Sequence, residues 1–431
     1  MRVFDCSLKV IFGAFVLQAL AVIPASAAGY TAPTFIGTTE QDVGVMDRPR
    51  PAYNAKGVPL GGFRLFPTLD LQSNYDDNVF RQPNGVSDWF FTISPAMHLQ
   101  SEWGRHFLEL YANLDDFQYI NNTSQNLTNW KIGSDGRWDI SRVATVTGNV
   151  NYGEASEAWE SPNSSTGFQA APNRFFLTHT DLSAAYQPDR LGLVISGSFD
   201  RQNWQNTPII GGGVLPNSDR NENEFETSAK AFYDFSPGYS TFVTVLYNER
   251  SFDQQFDRGG LDRSSHGYHV DGGVDMQLTH LVTGELFLGY FQQFYAQNVP
   301  TPLSNVSGLD YGAQIDWFAT PVLTVHLTGS RKLADVILVG ASGADNKSVS
   351  VSADYEFRPN IIVQTNVSYM NSRMIGTSRT DDYPTAGIGV KYLVNRYMSL
   401  NVRYNYSNRS SNSVGSDFTD NALNVSISLH I

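Results

Sequence analysis

The sequence predicts an all-β protein, a transmembrane antiparallel up-and-down β-barrel of 18 strands. Three observations predict it: segments that alternate apolar and polar residues, short turns that join pairs of them, and longer polar stretches between the pairs. Strand side chains point to opposite faces at every step, so each segment has an apolar face and a wet face. In the final segment, Leu423, Val425, Ile427, Leu429 and Ile431 alternate with Asn424, Ser426, Ser428 and His430.

Composition agrees with this fold class. Charged residues make up 16% of the 431 residues, below the roughly 25% of typical globular proteins, and aromatic residues make up 13%. A lipid-facing wall carries little charge and is flanked by aromatic girdles. No run of 18 apolar residues follows the N-terminal segment. A closed barrel is the other way to cross lipid with every backbone group paired.

The first 28 residues have the pattern of a secretory signal peptide. Arg2 and Lys9 precede an apolar core at 10–23, which is too short to span a membrane, and an Ala-Ser-Ala cleavage pattern lies at 25–27. We expect cleavage after residue 27 or 28; the alternative is an uncleaved anchor. Cleavage removes two positive charges and one negative charge, which changes the net charge from −13 to −14. It also removes Cys6, the only cysteine, so the mature chain can form no disulfide.

Residues 29–60 are interpreted as a periplasmic leader. Pro33, Pro49, Pro51 and Pro59 interrupt a polar segment, and we expect a passive tether. Folding into the barrel mouth and contact with a partner are the alternatives. The barrel domain is expected at 61–431.

Eight tight turns follow, and most of them contain Pro, Gly, Asn or Asp. They lie at 103–105, 140–142, 187–190, 236–238, 279–280, 319–321, 358–360 and 394–396. Longer polar connections include 153–173, 202–221, 250–265, 297–305 and 408–417. In outer-membrane barrels the short turns face the periplasm and the long loops face outside.

Two strands flank each turn, which gives sixteen. A first strand at 63–76 and a last strand at 418–431 bring the count to 18; it falls to 16 if the segment around Pro67 and one partner leave the wall. An even number lets the first strand pair with the last.

The alternation assigns side chains to the two faces. The lipid-facing candidates are Leu400, Val402, Val351, Val325, Val425 and Ile427. The lumen-facing candidates are Ser399, Asn401, Arg403, Asn405, Asp354, Glu356, His326 and Asn424. A soluble β-sandwich also alternates, but it does not predict short turns on one side and long loops on the other.

Aromatic residues gather beside the short turns, as in a periplasmic-side girdle. They are Trp103, Trp138, Tyr186, Phe235, Tyr239, Trp317, Tyr392 and Tyr397. Ordinary strand propensity, the alternative, would not concentrate them at turns.

Four stretches in the N-terminal third carry a family resemblance. They are Tyr75-Asp76-Asp77-Asn78-Val79-Phe80, Ser94-Pro95, Ser101-Glu102-Trp103-Gly104-Arg105-His106 and Asp135-Gly136-Arg137-Trp138-Asp139-Ile140-Ser141-Arg142. They resemble the putative β-barrel porin family 2. The resemblance implies an outer-membrane barrel of a Gram-negative bacterium, in a family often encoded near exopolysaccharide synthesis and export genes. Such proteins usually end in Phe, whereas this chain ends in Ile431; we expect the barrel assembly machinery still to recognise it.

A wall of 16 to 18 strands encloses a water-filled lumen, so the simplest function is a channel for hydrophilic solutes. The assigned inward positions are mostly Ser, Thr, Asn and Gln without a basic ladder, and the net charge mildly disfavours anions. Aromatic and amide residues at 117–122, 252–257 and 291–295 suit sugar rings, which gives a sugar-leaning channel. The alternative for these stretches is an outer aromatic girdle followed by polar loops.

Two other functions remain open: an outer-membrane component of exopolysaccharide secretion, and a non-conducting structural or adhesion barrel. The expected partners are outer-membrane lipid and lipopolysaccharide, the barrel assembly machinery, and polysaccharide or small sugars. We expect no nucleic acid, no cofactor and no enzymatic activity.

Acidic pairs at Asp76-Asp77, Asp115-Asp116 and Asp381-Asp382 have neighbours on opposite faces and make poor catalytic dyads. We interpret them as solvated loop charge, with calcium or bridging cations near lipopolysaccharide as the alternative. His266 and His269 also face opposite sides and lack metal spacing, so we expect no metal site.

Overall fold

The computed structural model describes residues 43–164, 168–278, 281–297 and 299–431. These residues form a closed antiparallel barrel of 18 strands, which confirms the predicted fold class. The strands are β1 Phe63–Asp76, β2 Asp88–Ser101, β3 Phe107–Tyr119, β4 Leu127–Asp139, β5 Ala144–Ser156, β6 Arg174–Tyr186, β7 Leu191–Trp204, β8 Glu222–Ser236, β9 Tyr239–Phe252, β10 Ser265–Leu278, β11 Val282–Tyr295, β12 Val306–Thr320, β13 Leu323–Ala334, β14 Gly343–Arg358, β15 Ile361–Ile375, β16 Thr380–Asn395, β17 Met398–Ser411 and β18 Phe418–His430. Among the described residues, no helix has the length and apolar character that a membrane crossing requires.

The wall closes between its first and last strands. Each strand pairs with its neighbours in chain order, and β1 pairs with β18 from Thr68 opposite His430 to Asp76 opposite Ala422. Pro67 lies in β1 opposite Met97 of β2, one residue before the pairing with β18 begins. A proline has no N–H to donate, so a position beyond the last paired residue suits it. All 18 strands therefore belong to the wall.

Long and short connections lie at opposite ends of the wall. We call the long ones L1 to L9: they span 77–87, 120–126, 157–173, 205–221, 253–264, 296–305, 335–342, 376–379 and 412–417. The short turns within the described part of the chain span 102–106, 140–143, 187–190, 237–238, 321–322, 359–360 and 396–397. The predicted turn at Thr279-His280 lies outside the described residues.

Two kinds of predicted boundary are wrong. The turn expected at 319–321 occupies 321–322, because Thr320 still pairs with Leu323. The long connections expected to begin at 153 and 408 begin at 157 and 412, because the strands continue through polar residues. Above the membrane a strand needs no apolar face, so composition does not mark its end.

The register separates the two predicted faces. Val351, Val402, Val425 and Ile427 are 40–47% exposed. Leu400 and Val325 are half-buried and lie on the same outer face as these four residues. On the opposite face, Ser399 and Asn424 are buried, and Asn401, Arg403, Asn405, Asp354, Glu356 and His326 are half-buried. That the first set contacts lipid stays a prediction.

The aromatic residues beside the turns lie on the outer side. Those more than a third exposed are Trp103, Trp138, Tyr186, Phe235, Trp317, Tyr392 and Tyr397. Tyr239 is half-buried. Their role as a membrane girdle stays a prediction.

The described part of the leader folds into the barrel. A short strand, Val58–Leu60, pairs with the start of β1, and residues 43–54 contact bore-facing residues of β13 and β14. The Val45 N–H donates to Thr324 Oγ1 at 2.9 Å, and Arg50 Nη2 lies 2.7 Å from Glu356 Oε2. Because β14 is well removed from β1 around the ring, the leader crosses the short-turn mouth. A passive tether is therefore wrong for these residues, and the barrel-mouth alternative describes them.

Candidate functional site: an arginine constriction in the bore

L3 crosses the bore at the long-loop end. It joins β5 to β6, yet its Glu160 carbonyl accepts a hydrogen bond from Arg409 Nη1 of β17 at 3.0 Å. Its Asn163 side chain accepts one from the Ile337 N–H of L7 at 2.8 Å. Both partners belong to distant parts of the ring. L3 and L7 therefore meet across the lumen and narrow it.

A buried ion pair holds the base of L3. Arg220 of L4 forms two hydrogen bonds to the Glu157 carboxylate, at 2.8 and 3.0 Å, and these side chains are only 5% and 9% exposed. Glu157 also accepts hydrogen bonds from Asn173 at 2.6 Å and Ser161 at 2.9 Å. The Arg220 guanidinium stacks 3.4 Å from the ring centre of Trp204. Every charge in this cluster is thus paired, as burial requires.

A second arginine joins L1 to the wall and to L3. Arg81 Nη1 lies 2.9 Å from both Asp76 and Asp420, and Arg81 Nε lies 4.0 Å from Glu160 of L3. Burial opposes the charged form, but these carboxylates raise the pKa of Arg81, so it stays a cation. Its backbone has a φ of 55°, a left-handed conformation that non-glycine residues rarely adopt. The turn in L1 holds this conformation and delivers the guanidinium to the carboxylates.

Arg263 of L5 fixes L7. It is buried, pairs with Asp257 at 2.6 Å, and donates to the carbonyls of Val336, Leu338 and Ala341. Arg250 of β9 lies 2.7 Å from Glu224 and 3.7 Å from Asp335 of L7. We call the five side chains Arg81, Arg220, Arg250, Arg263 and Arg409, with their partners, the arginine constriction.

The anchoring of L3 should depend on pH. Burial raises the pKa of Glu157, but Arg220 and the hydrogen bonds lower it further, so the folded-state pKa lies below the usual 4.5. Ionised Glu157 therefore stabilises L3 fully above that unfolded value, and the stabilisation is lost as pH falls through the folded pKa. We expect quiet single-channel currents at pH 7 and increasing current noise as the pH falls below 4.5. Glu157→Gln should remove this acid-dependent step; an unchanged step in that variant would refute the assignment.

The inner wall is more acidic than the sequence suggested. Bore-facing carboxylates line it between the two ends: Asp70, Glu109, Asp135, Asp181, Asp200, Glu226, Asp271, Glu285, Asp310 and Asp354. The Ser, Thr, Asn and Gln expected inward are present between them. Sequence reasoning missed the excess because it assigned faces for only the clearest strands.

The predicted lumen residues fall into separate groups. Glu356 holds the leader through Arg50. His326 Nε2 lies 3.3 Å from Asp354 Oδ2. The Asn424 side chain of β18 donates hydrogen bonds to the Gln72 and Asn74 side chains of β1. Glu356 thus lies at the short-turn mouth and Asn424 lies in the β1–β18 pairing. The predicted lumen residues do not form one common site.

The interpretation of the acidic pairs as solvated loop charge is wrong for five of the six residues, because all but Asp77 lie in strands, and Asp76 and Asp381 are also buried. Asp381 is fully buried, 2.8 Å from Arg379 Nη2, and Asp76 is buried beside Arg81. Both face inward at the ends of their strands, where the folded loops cover them. A paired arginine supplies the compensation that such burial needs.

The aromatic stretches divide between the faces. Phe117 and Tyr119 pair with bore-facing positions of β2, and the Tyr119 and Phe90 rings stack with centres 4.6 Å apart. Phe291 also faces the bore, whereas Phe294 lies beside His266 on the outer face. Phe117, Tyr119 and Phe291 therefore line the lumen, and Phe294 does not.

The fold and this site define a class: a closed membrane-type barrel with a polar bore narrowed by its own loops. The family described as Putative beta-barrel porin 2 matches residues 50–431. The chain belongs to this family of porins, which places it in the outer membrane. No curated protein matches the sequence.

Several solved barrels are similar to this chain. The outer membrane protein opdK from Pseudomonas aeruginosa is 14% identical, with 85% of this chain and 99% of that chain covered and a TM-score of 0.45. OccK2 (OpdF) from the same organism, solved in complex with glucuronate, is 13% identical, with 87% and 100% covered and a TM-score of 0.47. The siderophore receptor PirA from Acinetobacter baumannii is 7% identical, with 89% and 81% covered and a TM-score of 0.47. At these identities the ligands of those proteins do not transfer to this chain.

Proposed function

We propose that this porin is a channel for small hydrophilic solutes. The observation that carries the proposal is the bore itself: a closed 18-strand wall with a polar, charged inner face and an arginine constriction at one end. A barrel of this size is too wide for side chains to fill. Loops that narrow such a bore set the size and charge of what passes. Single-channel conductance in planar bilayers tests the proposal, and a folded barrel without conductance would refute it.

The acidic inner wall should make the channel prefer cations. Carboxylates attract cations into a bore and repel anions. We expect the reversal potential in a salt gradient to show cation selectivity. Asp135→Asn combined with Asp181→Asn should lower the cation-to-anion permeability ratio roughly twofold, because both side chains face the bore.

Asp116→Asn provides the matched control. Asp116 lies on β3 with its side chain on the opposite face from Asp115, away from the bore. Loss of one charge there should leave the reversal potential unchanged, whereas each Asp→Asn change in the bore should shift it. Equal shifts in both variants would show that net charge, and not the bore wall, sets selectivity.

We propose further that neutral sugars pass better than anions of similar size. The support is the set of bore-facing rings, Phe90, Phe117 and Tyr119, close to amide and carboxylate side chains. Aromatic faces pack against the apolar faces of sugar rings, and amides bond their hydroxyl groups. The rate of liposome swelling, compared between a neutral hexose and the corresponding uronate, measures the relative permeability of the two solutes. Faster swelling with the uronate would contradict the preference.

A second candidate function is a non-conducting barrel. The observation that favours it is that the lumen is crossed at both ends, by the leader at the short-turn mouth and by L3 and L7 at the other. The conductance measurement separates the two candidates.

Exopolysaccharide secretion stays a prediction, tested by deleting the gene and measuring secreted polysaccharide. The lipid, lipopolysaccharide and assembly-machinery partners also stay predictions, as do the signal peptide and the absence of catalysis. Protein sequencing of the mature N-terminus tests cleavage after residue 27 or 28.

A further inference from the structure

One imidazole and two carboxylates converge on the bore face of β10 to β12. They belong to His269 and Asp271 of β10 and Asp310 of β12, and each offers a ligand atom within 4.8 Å of the others. His269 Nδ1 lies 2.5 Å from Asp310 Oδ2. His266, the other histidine of this strand, lies on the outer face. The sequence pattern concealed this group, because Asp310 is 39 or more residues away from the other two along the chain.

A glycine makes the convergence of the carboxylates geometrically feasible. In the register, Gly289 of β11 lies directly between Asp271 and Asp310. Because Gly289 has no side chain, the flanking carboxylates can occupy the space above its backbone. A Cβ atom at this position would lie 2.1 Å from Asp271 Oδ1. The wall thus leaves a gap for the carboxylate.

The Asp271 carboxylate lacks the partner that its burial requires. The residue is only 9% exposed, and its Oδ1 has no hydrogen-bond partner among the described residues. Leaving a buried charged oxygen unpaired is unfavourable by several kcal/mol in general, so such groups pair or bind metals. Here the unpaired oxygen points into a group of further metal-type ligands.

The surroundings carry an excess of negative charge. Glu226 of β8 and Lys332 of β13 both interact electrostatically with this group. The carboxylates of Glu226, Asp271 and Asp310 therefore lie near a single ammonium group, that of Lys332. A divalent cation would balance this excess.

We propose that His269, Asp271 and Asp310 form a binding site for a divalent transition-metal cation such as Zn²⁺. Mixed imidazole and carboxylate ligands suit Zn²⁺, whereas Mg²⁺ and Ca²⁺ prefer oxygen ligands alone. The site holds whether or not the bore conducts, because it depends on the wall register.

Co²⁺ titration of the full-length barrel in detergent, after chelator treatment, tests the site. Co²⁺ replaces Zn²⁺ in such ligand sets and gives a visible absorption spectrum. We expect saturation at one equivalent and displacement by Zn²⁺ but not by equimolar Mg²⁺. Asp271→Asn should weaken binding at least about tenfold, since it removes a ligand. Asp275→Asn is the matched control, because Asp275 lies on the same strand and bore face outside the group.

Three results would overturn the proposal: no saturable Co²⁺ signal, equal affinity in Asp271→Asn and the wild type, or equal competition by Mg²⁺. Folding of each variant is judged by the heat-dependent shift of the barrel in electrophoresis. If Asp271→Asn does not fold, His269→Gln takes its place. Retained spectral changes in that folded variant would likewise reject the site.

Discussion

Deletion of residues 43–54 is expected to raise the single-channel conductance at least about twofold, because the segment crosses the short-turn mouth of the bore. The segment is held by Arg50 and Arg48, which both reach Glu356, and by the bond from Val45 to Thr324. Removing an obstacle from an aqueous bore widens the path for ions. The measurement is the conductance of the folded variant in planar bilayers.

Glu356→Gln should produce part of the same increase, because it weakens both arginine contacts while it leaves the segment in the chain. Asp354→Asn is the control, since Asp354 faces the bore two residues away and contacts His326 and Gln364 but not the leader. If the deletion and Glu356→Gln conduct like the wild type, the leader does not obstruct the channel.

Replacement of Arg220 by methionine is expected to release L3 from the wall. The change leaves Glu157 buried without its counter-charge, which in comparable cases is destabilising by about 3–5 kcal/mol. We expect large current fluctuations and much faster proteolysis within L3 at neutral pH, with the barrel wall intact. Proteolysis followed by mass spectrometry of the fragments locates the released segment.

Arg258→Met is the matched control for Arg220→Met. Arg258 of L5 also pairs with a loop carboxylate, Asp219, at 2.7 Å, but its side chain is 39% exposed. Although Asp219 is only 10% exposed, the Arg258 guanidinium is solvated, so loss of this pair should destabilise the loops less than loss of the buried Arg220–Glu157 pair, and L3 should stay protected. Similar proteolysis in the two variants would show that the buried pair does not anchor L3.

The wall was predictable because its periodicity is a direct consequence of its geometry. Strand β1 begins and ends at the predicted residues, Phe63 and Asp76, and the turn at 187–190 lies where its Pro and Asp residues placed it. Thr320 was assigned to a turn because Pro321 follows it, yet the strand pairing extends to Thr320. Turn composition thus locates a reversal but not its first residue.

The constriction was not predictable, because its contacts depend on closure of the ring. Arg220 and Glu157 are 63 residues apart, and Arg409 and Glu160 are 249 residues apart. Nothing local distinguishes a loop arginine that folds inward from one that meets solvent. A signal did exist, because L3 carries two Glu residues without a Lys or Arg while L4 carries Arg220, but their pairing required the three-dimensional arrangement.

The leader is hydrogen-bonded to the end of β18, beside the β1–β18 pairing that closes the wall. The Gly57 N–H donates to the Ile431 carbonyl at 3.0 Å, beside the place where β18 meets β1. The segment that covers the mouth is therefore fastened to the strand that comes last in chain order. This hydrogen bond lies where the wall closes, so it links the position of the leader to the pairing of β1 with β18. The acceptor is a backbone oxygen, so this hydrogen bond does not depend on the side chain of the last residue. Ile431 can therefore accept it as well as the Phe that usually ends such proteins.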